Sequence, residues 1–410
     1  MTGAPFRIAL CSGVYDARDG IGRMLAAKLA LLDRLRDAGV PVEARVFCCG
    51  SDIPDDRVRI VRDPATLLRD GFFHAADLHA FEFGIHYPLF DALLALPRGA
   101  ASLATYHNVT PAALVPAASL GAIALSMRQR DNIFAAGHVA CVSAFNRRDL
   151  TDIGLPAGRT SILPVPVGDG PPPSRQGKLA RRRDGPVELL FVGRLVQAKG
   201  VVELLAAADR LAGGDAPPFR LTLVFNRAFS DPAQLTALAA RPPAPWLHLL
   251  PDASDPALAA AYAAADCLVI PSHHEGFCIP VVEALAAGCF VIGADAANLP
   301  FILDGLGRLV PVGDAASLAG ALRATLGVLH AARCRGEAPL LQTERGPMPL
   351  AMWEKAVERH LRSFSRDAFE AGFARAMRAS LAVSGRPIPD WLLHGYLDRL
   401  AGIAPTARAV

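Results

Sequence analysis

The stretch CLVIPSHHEGFCIPVVEALAAG, from Cys267 to Gly288, combines a short apolar run, a polar loop and a second apolar run that ends in glycine. The first run has the length and β-branched character of a buried strand. The second is typical of a short helix, with Pro280 near its first turn and a glycine past its end. A strand followed by a loop and a helix is the repeating unit of a parallel sheet, so this stretch predicts an α/β fold.

Apolar runs of strand length alternate with helical patterns along most of the chain. In the first half, strands are predicted at 7–11, 42–48, 77–81, 102–106, 139–142 and 161–163, and helices at 19–37, 89–96 and 144–150. In the second half, strands are predicted at 187–192, 219–225, 246–250, 267–271 and 289–293, and helices at 200–211, 231–240, 256–265, 282–288 and 315–329. This alternation predicts two Rossmann-like domains, each a doubly wound parallel sheet, with a cleft between them.

The composition changes between the two halves. Residues 164–186 contain six prolines and five basic residues, which is typical of an interdomain linker. We therefore predict an amino-terminal domain at 1–165, a linker at 166–186, a second domain at 187–345 and a terminal helical segment at 346–410. The basic cluster alternatively suits an anionic membrane surface or a phosphorylated acceptor. Residues from 386 onward show no interpretable pattern.

Overall composition excludes several classes of protein. A net charge of +3 over 410 residues provides no broad field for nucleic acid. No apolar run reaches the roughly 18 residues of a membrane helix, and the amino terminus lacks a basic flank before an apolar block, so we expect a cytoplasmic protein. The eight cysteines show no C-x-x-C spacing, and neither disulfides nor zinc is suggested.

Two carboxylates flank the loop that follows the predicted strand at 267–271. Glu275 lies at the carboxyl edge of the sheet, where open α/β sheets bind ligands, and Glu283 lies in the first turns of the helix. The N–H groups of Phe277, Cys278 and Ile279 are helix-start donors suited to hydroxyls or phosphate oxygens. An acidic loop before a helix with a favourably placed glutamate is the alternative. We interpret the whole pattern as a polyol-binding site.

Two cations lie at the carboxyl edge of the second domain, in the loop at 193–200. Arg194 and Lys199 follow a predicted strand and precede a helix, which suits a diphosphate. Only four of the 42 basic residues are lysines, so a lysine here favours a requirement for its compact charge. A basic loop that caps a neighbouring helix is the alternative.

The first domain has weaker candidates. Gly20 and Gly22 form the first strand-to-helix turn, where backbone can approach an anionic ligand, although a tight turn with no ligand fits equally. His107 follows the strand at 102–106, yet a lone histidine is more often structural. His273 and His274 either touch a ligand or orient their loop, and a metal would lack a third ligand there.

These residues resemble a known family. The segment from Glu275 to Glu283 resembles the E-x7-E signature of retaining, nucleotide-sugar-dependent glycosyltransferases of family 4, and residues 193–200 resemble their G-R-x4-K loop. The resemblance implies a GT-B fold, two facing Rossmann-like domains with a carboxyl-terminal helix that crosses back. For that helix the apolar spacing from Trp353 to Phe364 is our candidate. It also implies transfer of a hexosyl unit from GDP-mannose or a UDP-hexose to a saccharide or glycolipid acceptor, as in polysaccharide biosynthesis.

The resemblance assigns roles to the candidates. Glu283 would hold the ribose, Glu275 and the 277–279 amides the donor sugar, and Arg194 with Lys199 the diphosphate. In the first domain, His107 would lie beside the reacting carbon, with Gly20 and Gly22 facing the donor phosphates. If the basic linker contacts an anionic membrane surface, the alternative noted above, the protein would be peripheral at the inner face of the membrane.

Two departures from the family leave alternatives open. Cys278 stands where glycine is commonest, and 225–227 replaces a glycine-rich loop near the nucleotide, so the base is undetermined. There is no D-x-D triplet, which argues against a bridging metal, and no other cofactor is expected. A sugar-nucleotide epimerase on the same fold and an inactive nucleotide-sugar-binding subunit are the alternatives. The sequence does not predict the oligomeric state.

Overall fold

The computed structural model describes residues 4–16, 19–167, 177–181, 183 and 185–393. The chain divides into two compact units. The first contains residues 1–112, 117–166 and 364–410, and the second contains residues 113–116 and 167–363. Most of the predicted linker, and residues 394–410, lie outside the described residues.

The first unit is built on a parallel sheet. Its strands, within the described residues, are β1 (Phe6–Tyr15), β2 (Val42–Ser51), β3 (Val58–Ile60), β4 (Leu78–Phe83), β5 (Ala101–Tyr106), β6 (His138–Cys141) and β7 (Thr160–Ile162). They lie in the order β3-β2-β1-β4-β5-β6-β7, with parallel pairing throughout. The order of connection reverses between β1 and β4, and such switch points are where open α/β sheets bind ligands.

The second unit repeats this plan. Its strands, again for the described part of the chain, are β8 (Val187–Val192), β9 (Phe219–Phe225), β10 (Leu247–Pro251), β11 (Cys267–Ile270), β12 (Phe290–Ala294) and β13 (Arg308–Val310). They form a parallel sheet in the order β10-β9-β8-β11-β12-β13, with the switch point between β8 and β11. A separate antiparallel hairpin joins β14 (Leu340–Thr343) and β15 (Gly346–Pro349). The predicted α/β fold with two Rossmann-like parallel sheets is confirmed.

Helices connect the strands. In chain order they are α1 (Gly20–Asp37), α2 (Pro64–Arg69), α3 (Gly71–His74), α4 (Leu120–Arg130), α5 (Ala144–Asp152), α6 (Val201–Ala212), α7 (Pro232–Ala239), α8 (Asp255–Ala264), α9 (Ile279–Ala286), α10 (Leu299–Leu303), α11 (Ala315–Arg335), α12 (Leu350–Leu361), α13 (Arg366–Ser384) and α14 (Asp390–Leu393). The predicted apolar face of α1 is buried, and Ser143 caps α5 as expected, accepting from the N–H of Asn146 at 3.1 Å. The helix predicted at 89–96 is instead a 3₁₀ helix, Pro88–Ala95.

The carboxyl-terminal helices differ from the prediction. The pattern that begins at Trp353 belongs to α12, which packs against α9 in the second unit. The buried Trp353 indole donates to the carbonyl of Leu306 at 2.7 Å, which satisfies its polar N–H. The helix that packs on the first unit is α13, which contacts α1, β5 and β6. The expected return to the first unit therefore begins near Phe364 and not at residue 346.

Helix α11 is long and apolar enough, by length and composition, to cross a membrane, which the sequence analysis did not predict. It packs on α6 and β8 within the second unit. The leucines on its buried face are Leu318, Leu322, Leu326 and Leu329. Their spacing of three and four residues is that of a helix with one face in a core.

Candidate functional site

An ion pair joins the two predicted donor-binding loops of the second unit. The Lys199 ammonium lies 2.6 Å from Oε1 of Glu275, and their side chains are 18% and 9% exposed. Lys199 follows β8 and Glu275 follows β11, the neighbouring strands on either side of the switch point. The structure therefore brings the predicted cation and carboxylate together where this fold binds ligands.

Backbone packing holds these two loops in contact. Gly200 has a φ of +64°, and a Cβ there would lie 2.1 Å from the carbonyl oxygen of Pro271. The N–H of His273 also donates to the carbonyl of Ala198 at 2.8 Å. Since no side chain fits between Gly200 and Pro271, glycine at this position is required for the approach of Lys199 to Glu275.

His273 orients its loop. Its Nε2 lies 3.0 Å from Oε1 of Glu203, in the first turn of α6. Together with the backbone bond to Ala198, this contact ties the start of the Glu275 loop to the Lys199 loop. Of the two roles considered for His273, the structure supports the orienting one.

Asn298 supports the turn that begins at Glu275, and the sequence analysis did not identify it. Its N–H donates to the carbonyl of Glu275 at 3.3 Å, and its side-chain amide donates to the carbonyl of Phe277 at 2.7 Å. Asn298 is 1% exposed, and its Oδ1 has no hydrogen-bond partner among the described residues. A buried amide with two bonds to one turn fixes the backbone of that turn.

Cys278 ends this turn in a left-handed conformation, with φ 77° and ψ 68°. A residue with a side chain costs about 1–2 kcal/mol in the left-handed region. This cost explains why glycine is commoner at this position of the E-x7-E motif that the segment resembles. The thiol is buried, and burial together with the charge of Glu275 raises its pKa well above the usual range. Cys278 therefore presents a neutral thiol beside Glu275 and the first N–H groups of α9.

Glu283 lies in the second turn of α9, which begins at Ile279. The hydroxyl of Tyr262, from α8, donates to Oε2 of Glu283 at 2.8 Å. Tyr262 is 5% exposed, and burial followed by the charge of Glu283 raises the pKa of its hydroxyl well above the usual range. The phenol therefore stays a donor and fixes the second carboxylate. The sequence analysis did not identify Tyr262.

Arg194 lies in the same loop as Lys199. Its side chain is exposed, and the guanidinium makes no hydrogen bond or ion pair with the part of the chain that the structure describes. The loop is fixed through its own backbone, since the N–H of Leu195 donates to the side-chain Oγ of Ser230 at 2.9 Å. A fixed loop with an exposed guanidinium suits an anionic ligand.

The first unit also places its candidates at a switch point. His107 follows β5, and its Nε2 lies 2.8 Å from Oε2 of Glu82 in β4. A Cβ on Gly84 would lie 3.1 Å from Cβ of His107 and 3.2 Å from Cδ1 of Ile21. His107 and the start of α1 therefore meet beside Gly84. They do so because β1, β4 and β5 are neighbours in the sheet and their carboxyl ends lie at the same edge.

The Asp19 side chain caps the helix start in the predicted glycine loop. The N–H of Gly22 donates to Oδ1 of Asp19 at 2.6 Å, and α1 begins at Gly20. Burial raises the pKa of Asp19, although the bond from Gly22 and the nearby His107 oppose this. The helix start expected to face donor phosphates thus holds a carboxylate of its own. Residues 17 and 18 of this loop lie outside the described residues.

Two further features of the second unit bear on ligands. A cavity of about 540 Å³ lies between α8 and the strands β8, β9 and β10, and none of the predicted site residues lines it. Within the described ranges, no group of three His, Cys, Asp or Glu side chains is arranged to hold a metal ion.

Comparison with known proteins bears on the unit that contains Lys199 and Glu275. Residues 186–327 match the model of the family described as glycosyl transferases group 1. The match covers about a third of the chain and lies entirely within the second unit. The matched part contains the whole second-unit site.

Curated relatives match only part of the chain. A D-inositol 3-phosphate glycosyltransferase from Geodermatophilus obscurus is 33% identical over 271 residues, which are 62% of this chain and 55% of the relative. An MMP alpha-(1->4)-mannosyltransferase from Mycolicibacterium hassiacum is 30% identical over 176 residues, 42% of this chain and 41% of the relative. The chain thus matches about half the length of these relatives, or less.

Solved structures match nearly the whole chain. Sucrose-phosphate synthase from Thermosynechococcus elongatus has a TM-score of 0.67 at 20% identity and covers 92% of this chain and 99% of its own. The HepE protein of Anabaena, solved in complex with UDP and glucose, has a TM-score of 0.63 at 15% identity and covers 91% and 100%. At these identities the likeness shows the fold, which is of the GT-B type.

Proposed function

We propose that this protein is a retaining, metal-independent glycosyltransferase. It would move a hexosyl unit from a nucleoside-diphosphate sugar, GDP-mannose or a UDP-hexose, to a saccharide or glycolipid acceptor. The observation that carries the proposal is the Lys199–Glu275 ion pair at the β8/β11 switch point, within the residues that match the group 1 family.

The cations of the β8 loop suit the leaving group. A nucleoside diphosphate gains negative charge as the glycosidic bond breaks, and preorganised cations aimed at that charge are usually the largest catalytic contribution. Lys199 is held in place by Glu275, and Arg194 is exposed in the same fixed loop. We assign the donor diphosphate to these two side chains.

The turn from Glu275 to Glu283 suits hydroxyl groups. Glu275 and the N–H groups at 277–279 would bind the donor sugar, and Glu283 would bind the ribose. Both carboxylates are preorganised, Glu275 by Lys199 and Glu283 by Tyr262. Fixed acceptors and donors of this kind bind polyols without reorganisation.

In our proposal, the acceptor attacks the anomeric carbon on the face from which the phosphate leaves, so the configuration of that carbon is retained. The acceptor oxygen forms a bond to the anomeric carbon as the bond from that carbon to the phosphate oxygen breaks, and the departing phosphate oxygen takes the acceptor proton. Glu275 then acts by positioning the sugar. Since Glu275 is paired with Lys199, it is poorly suited to serve as a covalent nucleophile.

The nucleotide base and the acceptor are open within this proposal. The end of β9, where the sequence departs from the family pattern, pairs Arg227 with Asp252 from the end of β10, and both lie at the carboxyl edge of the sheet. The relatives are named for an inositol phosphate and for mannosyl transfer, which favours a hydroxyl-rich acceptor.

The test is an assay with UDP-glucose, UDP-galactose and GDP-mannose, with and without EDTA. Each donor is mixed with inositol 3-phosphate, a maltooligosaccharide or a glycolipid, and product formation and anomeric configuration are followed by NMR. We expect one donor to give an α-linked product that EDTA does not suppress. Conversion of a donor without acceptor would indicate an epimerase, and binding without transfer or hydrolysis would indicate an inactive subunit.

A further inference from the structure

The first unit buries a lysine. Lys28, on α1, is 0% exposed, and its ammonium donates to Glu82 of β4 and, at 2.7 Å, to Oγ1 of Thr105 on β5. The ring of Phe373 from α13 lies over the ammonium, 5.2 Å from it to the ring centroid. Lys28 is one of only four lysines in the chain, which otherwise uses arginine.

Glu82 connects this lysine to His107. The Glu82 side chain is 0% exposed, with Oε1 bonded to Lys28 and Oε2 lying 2.8 Å from Nε2 of His107. The His107 side chain is 9% exposed. We call these three residues the buried charge chain. It runs from the core of the unit to the carboxyl end of the sheet.

Burial of this chain is costly and therefore informative. Removing an ion from water costs several kcal/mol, and only complete pairing compensates for it. Each carboxylate oxygen of Glu82 has a partner. An apolar core of the same volume would stabilise the fold equally well or better. The Lys28–Glu82 pair contacts His107. Its burial is thus better explained by its effect on which ring nitrogen of His107 carries the proton.

The chemistry of Glu82 determines that state. Burial raises the pKa of Glu82, but Lys28 and His107 more than compensate, so that the pKa lies below its ordinary value. Glu82 is therefore a carboxylate, which only accepts hydrogen bonds. Nε2 of His107 must then carry the proton, and in the neutral ring Nδ1 is left as an acceptor.

We propose that Lys28 and Glu82 are positioning residues that hold His107 in the Nε2–H tautomer, so that Nδ1 accepts a hydrogen bond from a hydroxyl of a sugar ligand. The inference deepens the proposed function and rests on it for the identity of the hydroxyl. Among the described residues, the other ionisable groups near the buried charge chain are Asp19, whose pKa responds to His107, and the buried Cys11 thiol and Tyr87 hydroxyl, whose pKa values respond to Glu82.

The direct test is the imidazole tautomer of His107, read from ¹⁵N chemical shifts of the full chain at pH 8, with His107→Gln for assignment. No donor is needed, so this result does not depend on the transferase proposal. We expect the Nε2–H form in the wild type. In Glu82→Gln the side-chain amide both donates and accepts, so we expect a mixture of tautomers and a fall in kcat of about tenfold with KM little changed.

The double variant Lys28→Met/Glu82→Gln guards against misfolding, because it removes both buried charges together. It should fold, as judged by its thermal midpoint, and show the same tautomer mixture as Glu82→Gln. Arg333→Met/Asp266→Asn removes a buried ion pair of the second unit and is the matched control, which should leave the His107 signals unchanged. An Nδ1–H wild type, or an unchanged tautomer in Glu82→Gln, would overturn the inference.

Discussion

The two units share one sheet plan but differ in the charges that lie near their switch points. Each sheet reverses its order of connection beside its first strand, β1 or β8, and each has candidate residues in the loops at that point. In the first unit the charges of Lys28 and Glu82 are fully buried and paired. In the second, Lys199 is partly exposed and Arg194 is exposed without a described partner.

This difference separates two tasks. Buried, paired charges cannot receive a charged ligand, but they can fix the orientation of a neighbour such as His107. Exposed cations on rigid loops can neutralise a ligand that gains charge. The charges of the second unit therefore suit the diphosphate of our proposal, and those of the first unit suit the orientation of His107.

The largest expected effect comes from Lys199→Ala. Removal of the cation should lower kcat/KM by about a thousandfold, or about 4 kcal/mol, because the developing charge of the leaving group loses its partner. Steady-state kinetics with the best donor measure this. Lys355→Ala, which removes an exposed lysine on α12, is the control and should behave as the wild type. A loss below tenfold for Lys199→Ala would place the diphosphate elsewhere.

Gly200→Ala should follow in size. The new Cβ would meet the carbonyl of Pro271 at 2.1 Å with φ at +64°, so we expect a loss of about 3 kcal/mol in the free energy of unfolding and weaker nucleotide binding. Urea unfolding and calorimetry measure both. Gly213→Ala is the matched control, because its Cβ would meet its nearest atom at 3.5 Å. Equal stability of the two variants would show that the loops are not in contact.

Tyr262→Phe should weaken donor binding about tenfold, or about 1.4 kcal/mol, because Glu283 loses its fixed hydrogen bond. Tyr106→Phe removes a comparable bond, from the hydroxyl to Asp149 at 2.6 Å, in the first unit. Nucleotide affinity, measured by calorimetry, should fall only in the first variant. A similar fall in both would contradict the assignment of nucleotide binding to the second unit alone.

The smallest expected effect is a pH dependence of stability. The pKa of Glu82 is lowered from 4.5 in the folded state, so its contribution to stability is present above pH 4.5 and is lost as the pH falls through the lower folded pKa. Between pH 7 and pH 4 the wild type should therefore lose more stability than Lys28→Met/Glu82→Gln. Urea midpoints at the two pH values measure this, and parallel losses would show that Glu82 is not stabilised as a carboxylate.

Local patterns predicted much of this molecule. Strand β8 and the loops that carry Lys199 and Glu275 were recognised because each depends on a few adjacent residues. The partners were not, because they come from distant segments. Lys28 is 54 residues from Glu82, and Tyr262 is 21 residues from Glu283.

Helix α13 was missed although its sequence contains a signal. Its buried face repeats every four residues at Phe369, Phe373, Met377 and Leu381, after a serine cap at Ser365. The sequence analysis instead predicted that the helix with the stronger aromatic pattern, α12, returns to the first unit. Periodicity identifies a helix with a buried face, but it does not show which unit the face packs against.

Nucleotide binding tests the central claim most directly. Thermal midpoints are measured for the wild type and Lys199→Ala with UDP, GDP and ADP, each with and without EDTA. A nucleotide at a hundredfold excess over its Kd should stabilise the protein by about 2.7 kcal/mol. We predict that one nucleotide stabilises the wild type, that EDTA does not alter this, and that Lys199→Ala loses it. An absence of stabilisation by every nucleotide, or full stabilisation of Lys199→Ala, would contradict a diphosphate site at the β8/β11 switch point.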